Sequence, residues 1–174
     1  AKFKPANKHN RTKPNQTQVT QTKLKPLTLE SSYDKFKDVT TLAIVTPVQD
    51  FGEIVNSKLK DYIANVDVFA SYSYLGQEPS KPTSINVTFK TFASGPLFGI
   101  NPSFIVIADS QRFRLGNMSQ TVNQTTTRSV DEYVSVPVPY EVFAQIANAD
   151  VVEVQIGSID FPLSSLNLKG FRVI

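Results

Sequence analysis

The chain has 174 residues, no Cys, no Trp and a single His, His9. That length suits one domain with a substantial core. The missing residue types exclude disulfide scaffolds, Cys-ligated zinc, iron–sulfur clusters, thiol nucleophiles and multi-His metal sites. The net charge of +3 is misleading: residues 1–29 hold seven basic residues and no acid, whereas the other 145 hold 11 basic residues against 15 acidic ones.

Residues 1–29 therefore read as a basic, polar N-terminal arm, and residues 30–174 as a single β-sandwich domain. Apart from Phe3, Val19, Leu24, Leu27 and Leu29, the arm is almost entirely Lys, Asn, Gln, Thr and Pro. Such a segment cannot bury enough apolar surface to offset the entropy of ordering it. The expectation is an extended or disordered arm, with its leucines docking at the edge of the body.

Residues 39–46, rich in β-branched side chains and followed by Pro47, predict the first strand. From Phe51 to Ile63 the apolar spacing predicts a short helix or an irregular crossover. The period then becomes two: Val66, Val68, Ala70, Tyr72 and Tyr74 mark one face of a strand, and Ile85, Val87 and Phe89 mark the next. Phe104-Ile-Val-Ile-Ala108 has the all-apolar pattern of a central strand covered on both faces. Asp109-Ser110 predicts a tight hairpin turn into Gln111-Arg-Phe-Arg-Leu115.

The polar residues 118–128 read as a connection. Tyr133, Val134, Val136 and Val138 belong to a further strand, and Pro139 opens a short helix carrying Val142, Phe143, Ile146 and Ala147. A hairpin turning at Gly157-Ser158 follows. Ser164 then caps a last helical turn with Leu166, Leu168 and Phe171. The fold expected is mainly β: an antiparallel two-sheet sandwich of seven or eight strands with one or two short helices. No apolar run is long enough to make a transmembrane span.

Ala108-Asp-Ser-Gln-Arg112 with Leu115-Gly116, Glu132-Tyr-Val-Ser-Val-Pro-Val-Pro139, Phe143-Ala-Gln-Ile-Ala147, Val152-Glu-Val-Gln-Ile-Gly157 and Phe161-Pro-Leu163 follow one another in this order. The tract resembles secreted or lipoprotein β-sandwich domains of the bacterial envelope. The resemblance covers about 65 residues. It implies a fold and a compartment, secreted or periplasmic at the cell envelope, and assigns no functional residue.

Chemistry is poorly supplied. The sole His lies in the arm, so a serine nucleophile lacks its usual base. Gly95-Pro-Leu-Phe-Gly99 lacks the Lys-Ser/Thr ending of a phosphate-binding loop. Three carboxylate arrangements remain. Asp109 with Arg112 reads first as a turn aspartate beside a solvent-facing arginine. Asp131 and Glu132, adjacent in a strand, point to opposite faces. Glu153 and Asp160 approach each other across the last hairpin as a weak cation site or plain surface. The expectation is a non-enzyme without cofactor or bound metal.

Two binding surfaces stand out. The arm reads first as a solvated tether between a membrane anchor and an envelope domain, and its Lys2, Lys4, Lys8, Arg11 and Lys13 also suit contact with a polyanion or an anionic membrane surface. They lack the interleaved aromatics of a specific nucleic-acid binder. In the body, the proline-framed loop presents Leu97, Phe98 and Ile100, which either cap the core or join Tyr72 and Tyr74 in a hydrophobic binding edge. The five Asn-x-Ser/Thr sequons, at Asn10, Asn15, Asn86, Asn117 and Asn123, matter only in a eukaryotic secretory route. The function expected is binding or assembly with a protein or envelope component. The alternative is a carrier holding a small hydrophobic ligand or lipid in a cavity of about 300 Å³ or more. A carboxylate-based enzyme comes third.

Overall fold

The computed structural model describes residues 27–48, Phe51 and residues 64–174. The arm to residue 26, including Lys2, Lys4, Lys8, Arg11 and Lys13, lies outside the described residues. So does the helix or crossover expected after Phe51.

Among the described residues, ten strands form two antiparallel sheets, as a two-sheet sandwich requires. They are β1 (Leu29–Asp34), β2 (Val39–Pro47), β3 (Ala64–Leu75), β4 (Ser84–Ala93), β5 (Ser103–Ala108), β6 (Gln111–Asn117), β7 (Ser119–Thr126), β8 (Ser129–Pro139), β9 (Val152–Ile156) and β10 (Ile159–Leu163). The larger sheet runs β1-β2-β3-β4-β8-β7 and the smaller β10-β9-β5-β6. Helix α1 (Tyr140–Asn148) follows β8, and α2 (Ser165–Phe171) follows β10.

Period-two alternation decides which side chains go inside. In β4, Ile85, Val87, Phe89, Thr91 and Ala93 are buried while Asn86 and Phe92 are exposed. The inner faces meet through aromatic rings: Phe89 lies edge-on to Phe104 of β5 at 5.6 Å and to Phe161 of β10 at 5.8 Å, and Phe51 meets Phe161 at 5.0 Å. Edge-to-face pairs of this kind add about 0.5–1.5 kcal/mol each beyond their area burial.

The turns follow the residues that tolerate positive φ. Asp109 and Ser110 sit at φ 46° and 77°, closing the β5–β6 hairpin at the positions expected. β5 itself is central in its sheet but is buried on the inner face only. Phe104, Val106 and Ala108 are buried, whereas Ile105 and Ile107 are half-buried. On that outer face their neighbours in register are Arg114 and Arg112 on one side and Gln155 and Glu153 on the other.

Residues 118–128, read as a connection, contain strand β7. The chain leaves β6 on the edge of the small sheet, passes Met118, and enters β7 on the edge of the large one. Met118 is buried, and its amide donates to the Pro102 carbonyl at 2.9 Å. One side of the sandwich is therefore joined by a strand pair that changes sheets.

The helices pack elsewhere on the sandwich. Pro139 stands at the N-cap of α1, and Phe143, Ile146 and Ala147 are its buried stripe. Ser164 caps α2 in a capping box with Asn167. The fully buried Asn167 also donates through Nδ2 to Thr46 Oγ1 at 2.8 Å and to the Pro47 carbonyl at 2.9 Å, fixing α2 to β2.

Gly170 lets that approach happen: a Cβ built there would lie 2.8 Å from Thr46 Cγ2. Thr46 is a stiff, β-branched residue whose hydroxyl holds Asn167, so it cannot rotate away without breaking that bond. In Gly170→Ala the helix propensity gained is about 1 kcal/mol, and the overpacking loses about 1–3 kcal/mol. We expect a net loss of stability, measured by urea denaturation. A stabilised variant would show that α2 does not press on β2.

Candidate functional site

The polar centre of the described structure is a carboxylate. Val134, Val136 and Val138 are the buried face of β8, and the same two-residue period places Glu132 on that face, fully buried. Asp131 points outward, as the opposite-face reading requires, and pairs with Lys90 at 3.2 Å.

Glu132 is held by four donors, two on each oxygen. Oε2 accepts from the Leu97 amide at 2.6 Å and from Thr91 Oγ1 at 3.4 Å. Oε1 accepts from Gln120 Nε2 at 2.7 Å and from the Phe98 amide at 3.3 Å. A carboxylate has about four acceptor positions, and here all are filled from within the chain. Gln120 also donates to the Gly99 carbonyl at 2.7 Å. The proline-framed loop is thus bound at three consecutive residues.

The loop is also pressed from the small sheet. Gly157, at φ 59° in the β9–β10 turn, has no room for a side chain, because a Cβ there would lie 2.6 Å from the Phe98 carbonyl oxygen. Its amide donates to the Ser103 carbonyl at 2.9 Å. Glu132 on one sheet and Gly157 on the other therefore clamp the same residue.

Of the two alternatives for the loop, the burial of Leu97 and Phe98 fits the core cap and not the binding edge. Leu97 and Phe98 are buried in the core, at 8% and 3% exposure, whereas Ile100 is 91% exposed. Tyr74 is buried and Tyr72 half-buried, and their rings lie 5.8 Å apart. Burial pushes the Tyr72 phenol above its usual value, with Tyr74 and Tyr140 adding to the effect. These tyrosines lie toward the far end of β3: Ala64 pairs with Ala93, next to the loop, and Tyr72 is eight residues further along, roughly 26 Å of strand. The five residues do not form one surface. Of the loop's three large apolar side chains, Ile100 alone is presented to solvent, beside the Gln120-bonded Gly99 and next to β7.

Of the other carboxylates singled out in the sequence, Asp109 has structural partners. Asp109 accepts from the amides of Asp150 (3.0 Å) and Val151 (2.9 Å), tying the β5–β6 turn to the entry of β9, while Arg112 is exposed. Glu153 and Asp160 are exposed on the outer face of the small sheet. They are not directly opposed, since Glu153 faces Pro162 and Asp160 faces Gln155.

Across the outer face of the large sheet Asp67, Lys90 and Tyr133 share one register row. Burial raises the Asp67 carboxyl above the ordinary carboxylate range, with Lys90 opposing. Tyr133 and Asp131 hold the Lys90 ammonium above its usual value. Among the described residues no group of three or more His, Asp or Glu is placed to hold a metal ion.

Two spaces lined by described residues are small. A cavity between the sheets, lined by Val87, Phe89, Phe104, Val106 and Phe143 among others, holds about 10 Å³. A shallow groove between α1 and α2, beside Tyr140, Ala144 and Arg172, holds about 120 Å³. Both fall below the few hundred Å³ of ordinary small-molecule sites. No family model matches the chain, and no curated protein or solved structure resembles it at a significant level.

The signal for Glu132 was present in the sequence, because the parity that buries Val134, Val136 and Val138 also buries residue 132. Two tests separate clamp from surface. Glu132→Ala leaves two backbone amides, a hydroxyl and one N–H of the Gln120 carboxamide without an acceptor, and should lose at least about 3 kcal/mol in chemical denaturation. Phe98→Ala should lose about 3–5 kcal/mol, while Ile100→Ala should stay within about 0.5 kcal/mol of the parent. Equal effects of the last two would contradict the clamped geometry.

Proposed function

We propose that this chain is a non-catalytic binding or assembly domain that works outside the cytoplasm, secreted or at the cell envelope, with its basic arm as a tether. The observation that carries this reading is the state of Glu132. The one fully buried carboxylate among the described residues has every acceptor position filled by the protein itself, so it has no position left for a substrate. The apolar interior supports the same reading: a space of about 10 Å³ holds at most one water, not a lipid or a small hydrophobic ligand.

Binding then falls to the surface and to the arm. Seven positive charges within residues 1–29, with no acid among them, give the arm a strong attraction for anionic surfaces, while the body carries more acidic than basic residues. The resemblance to envelope domains from Ala108 to the end of the chain agrees with that location. The partner is a protein or envelope component, reached while the arm lies against lipid headgroups or a wall polyanion.

The test is co-sedimentation of the full chain with vesicles of phosphatidylglycerol in phosphatidylcholine, against a variant with Lys2, Lys4, Lys8, Arg11 and Lys13 all replaced by Gln. We expect the parent to bind at low ionic strength and to release as salt screens the charges, and the variant to bind at least tenfold more weakly. An absence of binding, or binding indifferent to both salt and the five substitutions, would overturn the tether.

A further inference from the structure

A sandwich leaves its sheet edges open, and an open edge presents unpaired backbone N–H and C=O groups to any extended chain. Proteins blunt such edges with charges, proline or bulges. Among the described residues there are four edges, and three are blunted. β1 carries Glu30 and Asp34, β6 carries Arg112 and Arg114, and β10 carries Asp160 and Pro162.

β7 is different. Its sequence, Ser-Gln-Thr-Val-Asn-Gln-Thr-Thr, holds neither a charge nor a proline, in a chain where 19% of residues are charged. All its residues except Gln120 are exposed. Its one irregularity against β8 falls between Gln124 and Thr126, so Ser119 to Gln124 form a regular edge of about 20 Å.

We propose that β7 is the seam of a two-fold dimer, in which two copies of this chain pair β7 antiparallel to β7 and join their six-stranded sheets. The proposal deepens the assembly reading above, on which it rests, by naming the partner. An edge without charge meets its own copy without like-charge repulsion, and it offers nothing to select a charged peptide. Pairing about a two-fold axis is closed, occupying both β7 edges.

The register follows from face parity, because residues opposed across the axis must share a face of the joined sheet. Centring the axis on Val122 sets Val122 against Val122 of the second copy. Gln120 then meets Gln124, and Thr121 meets Asn123. Val122 is 42% exposed and is the only large apolar side chain on the strand, so the axis covers it. Amide–amide and hydroxyl–amide pairs flank it, as cross-strand pairing favours.

The experiment is sedimentation velocity on the full chain across a concentration series, with hydrogen exchange at both ends of the series. We expect a monomer–dimer equilibrium, and slower exchange in residues 119–126 at high concentration than at low, with no such change in β1. Val122→Lys places two like charges at the axis and should weaken dimerisation at least tenfold while the urea midpoint of the monomer is retained. If that variant fails to fold, the exchange measurement on the parent decides alone. A chain that stays monomeric at hundreds of micromolar overturns the seam. So does a dimer that ignores Val122→Lys, or one whose concentration-dependent protection lies outside β7. A monomer that still binds anionic vesicles removes the seam and leaves the tethered-domain reading; a dimer that ignores vesicles removes the tether and leaves the seam.

Discussion

The carboxylate of Glu132 is the interaction around which one end of the sandwich is arranged. A buried carboxylate without partners is disfavoured by several kcal/mol, and this one lies in a face otherwise made of valines. Four donors make it tolerable, and two of them are backbone amides of the loop between β4 and β5. Loop backbone normally stays at the surface because its polar groups need water. Here Glu132 replaces that water, so Leu97 and Phe98 can fill the end of the core without stranding their amides. The same contact sets the approach of the two sheets, since the Phe98 carbonyl meets Gly157 across the interface.

The region around the helices uses neutral amide chemistry for a similar purpose. Asn167 accepts from the Ser164 amide and hydroxyl and donates to Thr46 and Pro47, so one side chain begins α2 and binds it to β2. Arg172 reaches the carbonyls of Ala147 and Ala149 at the end of α1, at 2.7 and 3.1 Å. A cation at a helix C-terminus is favoured by the dipole as well as by these bonds. These polar side chains are directed largely at backbone. Asp109 follows the same rule from a turn.

What the sequence revealed depended on burial. β3, β4 and β8 bury one face each, so their alternation was visible, and parity alone separates Glu132 from Asp131. The turns at Asp109-Ser110 and Gly157-Ser158 and the cap at Ser164 are local chemistry and were equally plain. β1 and β7 were not legible, because neither buries a face and so neither leaves an apolar period to read. Their strand state comes from pairing with β2 and β8, a non-local property. The loop gave the opposite difficulty: its apolar residues were conspicuous, but their burial depends on a carboxylate more than thirty residues away. Tyr72 and Tyr74 share a face with the core of β3, yet sequence alone does not say how far along the strand the loop will land.

The absence of charge on β7 bears on how the sheet is built as well as on what meets it. Gln120 points inward and must donate both to Glu132 and to the Gly99 carbonyl, a pair of bonds that the two hydrogens of one carboxamide supply. An acid at that position would face Glu132 with a like charge and bring no donor. Thus the inner face of β7 near the clamp is constrained to neutral donors by the buried carboxylate. No such constraint acts on Thr121, Asn123 or Thr125, which point outward and could carry lysine or glutamate without touching the core. These positions are also uncharged, while β1, β6 and β10 all carry charge. In the seam proposed above, that neutrality is what lets two copies of the strand meet without like-charge repulsion.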